Sequence, residues 1–186
     1  ITDHDTIDGL EEAFKEANKQ GLEIIPGVEI NTQYEGYEVH ILGYFIDYED
    51  NELREKLEHY KKLRRIRVEK IINKLQDMDI DINIDDVLEF AGDGAIGRSH
   101  IARVMKKKKY VDSTSEAFDR FIAIGKPAYV NRERMSPKET IDLIKRSNGI
   151  PILAHPGLIG NDNIVYNMID KGIEGLEAYY YEHSFK

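Results

Sequence analysis

Two periods run through this chain. Between residues 23 and 45 the sequence EIIPGVEINTQYEGYEVHILGYF carries two short apolar runs, 23–30 and 38–45, rich in β-branched and aromatic residues. A polar turn centred on Glu35-Gly36 divides them, so the pattern predicts two buried strands. The same kind of run closes on a histidine at 1–5 (ITDHD) and at 152–156 (ILAHP), and each reads as a strand. After the first of these, Leu10, Ala13, Phe14 and Ala17 recur at helical spacing. Asp8 and Glu11 have the spacing of a capping box, and Gly21 stands where a C-cap belongs. Strand, helix, strand is the opening of a βαβ unit.

The period changes near Asp47. Residues 51–76 are strongly charged, with Leu53, Leu57, Tyr60, Leu63, Ile66, Ile71 and Leu75 as apolar positions, and read as one long amphipathic helix. Shorter helical patterns follow at 84–91, 100–109 and 113–121, the last opened by Ser113 and Glu116 at capping-box spacing. No convincing strand falls in this stretch. It is expected to be an all-α insertion subdomain, 47–133, within an α/β domain made of 1–46 and 134–186. The α/β rhythm resumes with a helix at 136–147, a strand at 150–154, a helix near 163–171 and a strand at 175–179.

Four polar residues interrupt or close the apolar strands: His4, Glu29, His40 and His155. A buried carboxylate or imidazole needs a hydrogen-bond donor, a counter-charge or a metal. Singly, each has an ordinary explanation as a satisfied polar residue. Together at strand ends, they suit a metal site on the rim of a parallel sheet or barrel. Asp3 and Asp5 flank His4, and either could orient its imidazole through the second ring nitrogen. Helix capping accounts for Asp5 equally well.

Composition narrows the chemistry. The chain has no Cys, so a transition metal here must use histidine and carboxylate ligands. Lys and Arg total 26 against 35 Asp and Glu, a formal charge of −9, which argues against a broad basic face for long duplex nucleic acid. A local basic pocket for a small phosphorylated substrate stays open. Arg64, Arg65 and Arg67 lie within one helical turn, and Arg98 and His100 sit in a loop entering a helix, where backbone N–H groups favour anions. Lys126, Tyr129 and Arg132 form a second polar cluster, and His183 is a further candidate for substrate contact. For the arginine run alone, a solvated helix face is the simpler explanation. No run reaches membrane-spanning length and no signal peptide is visible, so a soluble, cytoplasmic protein is expected.

The motifs ITDHD (1–5), PGVE (26–29), VHILGY (39–44), GRSHIA (97–102), PAYV (127–130) and LAHPG (153–157) resemble the PHP (polymerase and histidinol phosphatase) family of metal-dependent phosphoesterases. Within it they look like the TrpH/YciV-type branch, and the match keeps motif order along essentially the whole chain. The resemblance implies a distorted (β/α)7 barrel with a helical insertion and up to three divalent ions (Mn, Zn or Fe) at its rim. His4 would match a ligand of the third metal, Glu29 the bridge between the first two, and His40 and His155 ligands of the second. Arg64, Arg65, Arg67, Arg98 and His100 would line the phosphate pocket.

The implied reaction is hydrolysis by metal-bound hydroxide of nucleoside 3′,5′-bisphosphates, or of the 5′ ends of short RNA. A histidinol-phosphate-type phosphatase and a non-catalytic PHP-like binding module are the alternatives. The family's opening Asp-x-His-x-His strand and its later Asp-x-His pair are not in this sequence. The segment is therefore expected to be the middle of a larger protein, with the barrel incomplete at both ends.

Overall fold

The computed structural model of the chain describes residues 1–91 and 95–183. Its contacts divide into two compact units, Ile1–His59 with Arg134–Lys186, and Tyr60–Glu133. The first is a mixed α/β layer. Strands β1 (Gly27–Tyr34), β2 (Tyr37–Tyr44), β3 (Ile150–Leu153) and β4 (Gly175–Leu176) form one sheet in the order β1-β2-β3-β4. Helices α1 (Leu10–Gln20), α6 (Pro137–Arg146) and α7 (Asp162–Asp170) belong to the same unit.

The sheet differs from the parallel arrangement expected. β1 pairs with β2, and β2 with β3, in antiparallel register; only β3 and β4 run parallel. The cause is the hairpin at Glu35-Gly36, where both residues take left-handed backbone (φ 50° and 88°). A two-residue loop of that kind matches the strand twist and returns the chain antiparallel. Of the barrel that the resemblance implies, the described residues form these four strands and one isolated bridge, where His4 pairs parallel to Glu29.

The strand alternation assigns the two faces of the sheet. Val28, Ile30, Val39 and Ile41 are all buried. They share a face with Gly43, whose missing Cβ would meet Ile144 of α6 and Ile46. Glu29, Asn31, His40 and Leu42 point the other way, because successive residues of a strand alternate. One register thus builds the core on one side and a polar site on the other.

Local signals explain the helices. Gly21 closes α1 in a left-handed C-cap. The expected capping box at its start is not formed: the N-cap is Gly9, without a side-chain bond, and Glu11 instead accepts from Lys15 at 2.5 Å. α6 does have a complete box, Ser136 Oγ accepting from Glu139 N and the Glu139 carboxylate accepting from Ser136 N.

The second unit is helical. It takes in the larger part of α2 (Asn51–Gln76), whose residues 51–59 belong to the first unit, and continues with α3 (Ile84–Ala91), α4 (Arg98–Lys107) and α5 (Thr114–Ala117). A π-helical turn, Phe118–Ile122, follows α5. Ser113 Oγ caps α5 by accepting from Glu116 N, but the Glu116 carboxylate turns to Asp112 N instead of completing a box. Val68, Ile71, Leu75, Ile82, Val87, Ile101 and Met105 form its core. Ile66, an expected apolar position, is 44% exposed, while Val68 and Ile72 are buried. The inward stripe follows the 3.6-residue period and drifts off the simplest reading of the pattern.

Candidate metal centre

Glu29 is the hub. Its Oε1 lies 2.8 Å from His40 Nδ1 and 3.3 Å from His155 Nε2, and its Oε2 lies 3.7 Å from His4 Nε2. His155 Nε2 and His40 Nδ1 are themselves 3.1 Å apart. The His4 and His40 rings meet edge to face at 5.5 Å, as do those of His40 and His155 at 4.8 Å. Side-chain exposure grades the cluster: 56% for His4, against 14%, 17% and 16% for Glu29, His40 and His155. Three donors line the floor and His4 stands at the mouth.

Each is placed by local structure. Glu29 is third in β1 and His40 fourth in β2, on the same sheet face in diagonal positions of the register. Neither ends its strand, contrary to expectation, since β1 and β2 continue as a hairpin beyond the site. His4 is held by main-chain bonds on both sides, Glu29 N donating to Asp3 O at 3.0 Å and Asp5 N to Glu29 O at 2.8 Å. His155 follows β3 and takes a left-handed backbone, φ 29° and ψ 57°.

The flanking aspartates take different roles. Asp3 is exposed and reaches the site through its backbone. The Asp5 carboxylate grips Asn31, accepting from its backbone N at 2.9 Å and its side-chain Nδ2 at 2.6 Å. Asp5 therefore staples the His4 segment to β1 and does not cap α1.

The donor set fits a cation. Two ring nitrogens 3.1 Å apart, both against one carboxylate oxygen, would crowd their hydrogens if both donated. A cation between them would remove the conflict, because it draws the ring lone pairs inward in place of hydrogens. His155 Nδ1 is a buried atom with no hydrogen-bond partner among the described residues, which leaves Nε2 as the ring nitrogen that faces the cluster. His4, Glu29 and His40 each offer a ligand atom within 4.8 Å of the others. Burial alone would raise the pKa of Glu29. The hydrogen bond from His40, the His4 and His40 charges and the bond from His155 outweigh it, so the carboxyl stays ionised below its usual range.

Three neighbours were not singled out from the sequence. Glu177 accepts the His155 backbone N–H at 2.7 Å. Tyr44, on the site face, has its phenol pushed up by burial and by the Glu177 and Glu29 charges, which keeps it protonated. Tyr180 packs its ring 5.1 Å from His155 and 5.5 Å from His183. The His183 ring occupies the space that a Cβ on Gly157 would need, 2.9 Å from its Cδ2. Of these, only Tyr44 had a signal in the sequence, the two-residue alternation that puts it on the face of His40.

The candidate phosphate residues lie in the helical unit. Arg67 and Arg98 both stand 5.9 Å from the Tyr129 ring centroid, and Arg98 also stands 5.4 Å from that of Phe118. Carbonyls fix both guanidiniums: Arg67 Nε donates to Val130 O at 2.8 Å and Arg98 to Ile122 O at 3.3 Å. His100 is held low by burial and by the charges of Arg103 and Arg64. Arg65 pairs with Glu69 on the exposed face, and Lys126 is exposed. Arg132 is half-buried. The structure thus gathers Arg67, Arg98 and Tyr129 and leaves Arg65 and Lys126 at the surface.

No family model matches the chain. It is 34% identical over 185 residues to the 5′-3′ exoribonuclease Rnm of Escherichia coli, covering 98% of this chain and 61% of that protein. With the 3′,5′-nucleoside bisphosphate phosphatase of Chromobacterium violaceum it shares 28% over 158 residues, 84% of this chain and 55% of that one. A solved structure from Bifidobacterium adolescentis, described as a metal-dependent phosphoesterase, superposes with a TM-score of 0.83 at 28% identity, covering 96% of this chain and 65% of that one. These likenesses run along most of the chain and support its resemblance to the PHP phosphoesterase family. The chain spans about three-fifths of the length of the curated exoribonuclease it matches. Among the described residues, no helix is long and apolar enough to cross a membrane.

Proposed function

We propose that the protein carrying this chain is a hydrolase of nucleotide phosphoesters, acting on nucleoside 3′,5′-bisphosphates or the 5′ ends of short RNA. The observation that carries the proposal is the convergence of His4, His40 and His155 on one ionised carboxylate, Glu29. The names of the exoribonuclease and phosphatase relatives support the substrate class. Divalent ions bound to such a set lower the pKa of a coordinated water and offset charge growing on phosphoryl oxygens.

The chain's own residues divide the remaining work. Glu29, whose oxygens face His4 on one side and the His40–His155 pair on the other, would hold divalent ions together with those three rings. The half-buried floor around it restricts water and strengthens charge interactions. Arg64, Arg67, Arg98 and His100 are assigned to the second phosphate, and Tyr129, Lys126, Arg132 and His183 to the rest of the substrate. Guanidinium forks match phosphate oxygens, and fixing Arg67 and Arg98 on carbonyls lowers the entropy lost when they bind. Which ions bind is part of the proposal, Mn, Zn and Fe all suiting histidine and carboxylate.

The test is phosphate release from adenosine 3′,5′-bisphosphate with added Mn²⁺, using the full-length protein that contains this chain. Glu29→Gln is expected to lose bound metal and phosphate release together. A wild-type protein that binds metal yet releases no phosphate, over a range of metals, would overturn the nucleotide assignment in favour of a binding module.

A further inference from the structure

His155 is the one site residue whose backbone works against its position. It is a non-glycine residue at φ 29° and ψ 57°, and Pro156 follows it. A residue before proline is pushed by sterics towards extended backbone, and left-handed conformations are costly for side chains with a Cβ. Such a conformation persists only where surrounding contacts over-determine it. Left to itself, the segment after β3 would run on extended and carry the imidazole out of the cluster.

The contacts that oppose this converge on Glu177. Its backbone N donates to Leu153 O at 2.9 Å, continuing the parallel pairing of β3 with β4. Its side chain turns back, and Oε2 accepts the His155 backbone N–H at 2.7 Å. One residue thus grips the chain on both sides of Ala154. Ala154 N is meanwhile tied to His40 O at 3.0 Å, which joins the same segment to the strand that carries another donor. The Glu177 carboxylate is half-buried and lies near the protonated Tyr44 phenol, so its placement is not that of a free surface acid.

We infer that Glu177 is a positioning residue: by holding the His155 amide it fixes the left-handed turn that aims Nε2 at Glu29. Its carboxylate acts through the His155 backbone. The inference rests on the metal reading above and makes a separate claim about which residue preorganises it. Supporting contacts of this kind commonly govern metal affinity by about 10- to 100-fold.

The experiment is Mn²⁺ titration of the full-length protein by calorimetry, without substrate, on wild type, Glu177→Ala, Glu177→Gln, His155→Ala and the Glu177→Ala/His155→Ala double variant. Glu177→Ala is expected to weaken metal binding by roughly 10-fold or more. Glu177→Gln, which keeps an acceptor oxygen, is expected to stay within about threefold of wild type. In the His155→Ala background, loss of Glu177 should change affinity no further. A lower Tm of the metal-free protein with unchanged Mn²⁺ affinity would reduce Glu177 to a structural contact and overturn the inference. A Gln variant as damaged as His155→Ala would also overturn it, making the charge and not the hydrogen bond the agent. If Glu177→Ala does not fold, Glu177→Leu, which keeps the bulk without an acceptor, takes its place. Wild-type protein that binds no metal would instead refute the metal reading itself.

Discussion

His100 joins local geometry to a charge state. Near the start of α4 its Nδ1 accepts the Gly97 N–H at 3.1 Å, which puts the proton of the neutral ring on Nε2. Burial, Arg103 and Arg64 all disfavour a second proton, and protonation would strip Gly97 of its acceptor. The folded state therefore binds this proton more weakly than the unfolded chain does. The contribution to stability is fully present above the ordinary histidine value of about 6.5 and is lost as the pH falls through the lower folded value. His100→Gln should lose less stability than wild type between about pH 7.5 and 5 in urea denaturation. Equal pH dependence in the two proteins would count against this account.

Between α6 and β3 the chain turns at Gly149, and the turn depends on a missing side chain. Gly149 N donates to Ile144 O at 2.8 Å, while a Cβ there would sit 2.6 Å from Ile46 Cγ2 and 3.0 Å from Ile144 Cγ2. The neighbours are buried branched side chains with little room to withdraw. Gly149→Ala is expected to destabilise by about 1–3 kcal/mol through overpacking, read as a lower urea midpoint. The same helix supports the sheet face opposite the candidate metal site, so metal affinity should fall less than stability does. At the other end of α6, the Ser136–Glu139 box shows a local signal realised in full. Asp8–Glu11 has the same spacing and shows it unused, because the turn before α1 places Gly9 at the N-cap.

Two compact units predict two responses to a core cavity. Ile101 is fully buried in α4, within the apolar cluster of the helical unit. Ile101→Ala should cost about 2–5 kcal/mol. If residues 60–133 open as their own cooperative unit, hydrogen exchange should quicken across α3, α4 and α5 while the β1–β2 amides keep their protection. An equal rise in both would mean that the chain opens as one body. The functional assignments divide along the same line, candidate metal donors in the sheet unit and candidate phosphate arginines in the helical one.

The sequence by itself determined most of the elements. The long helix 51–76, the hairpin turn at Glu35-Gly36, the C-cap at Gly21 and the helix that follows Ser136 come from patterns a few residues long. It also singled out His4, Glu29, His40 and His155, because a polar residue in an apolar strand is costly without a partner. Tertiary structure alone decided the rest. Whether the strands run parallel, and that Glu29 and His40 lie on a sheet face and not at strand ends, depends on pairing between segments. That Asp5 serves Asn31, and that Glu177 holds His155 from 22 residues away, depends on which chains the sheet brings side by side. Periodicity records the face a residue presents, but not what waits opposite, because the cost of an unpaired group is local and its partner is not.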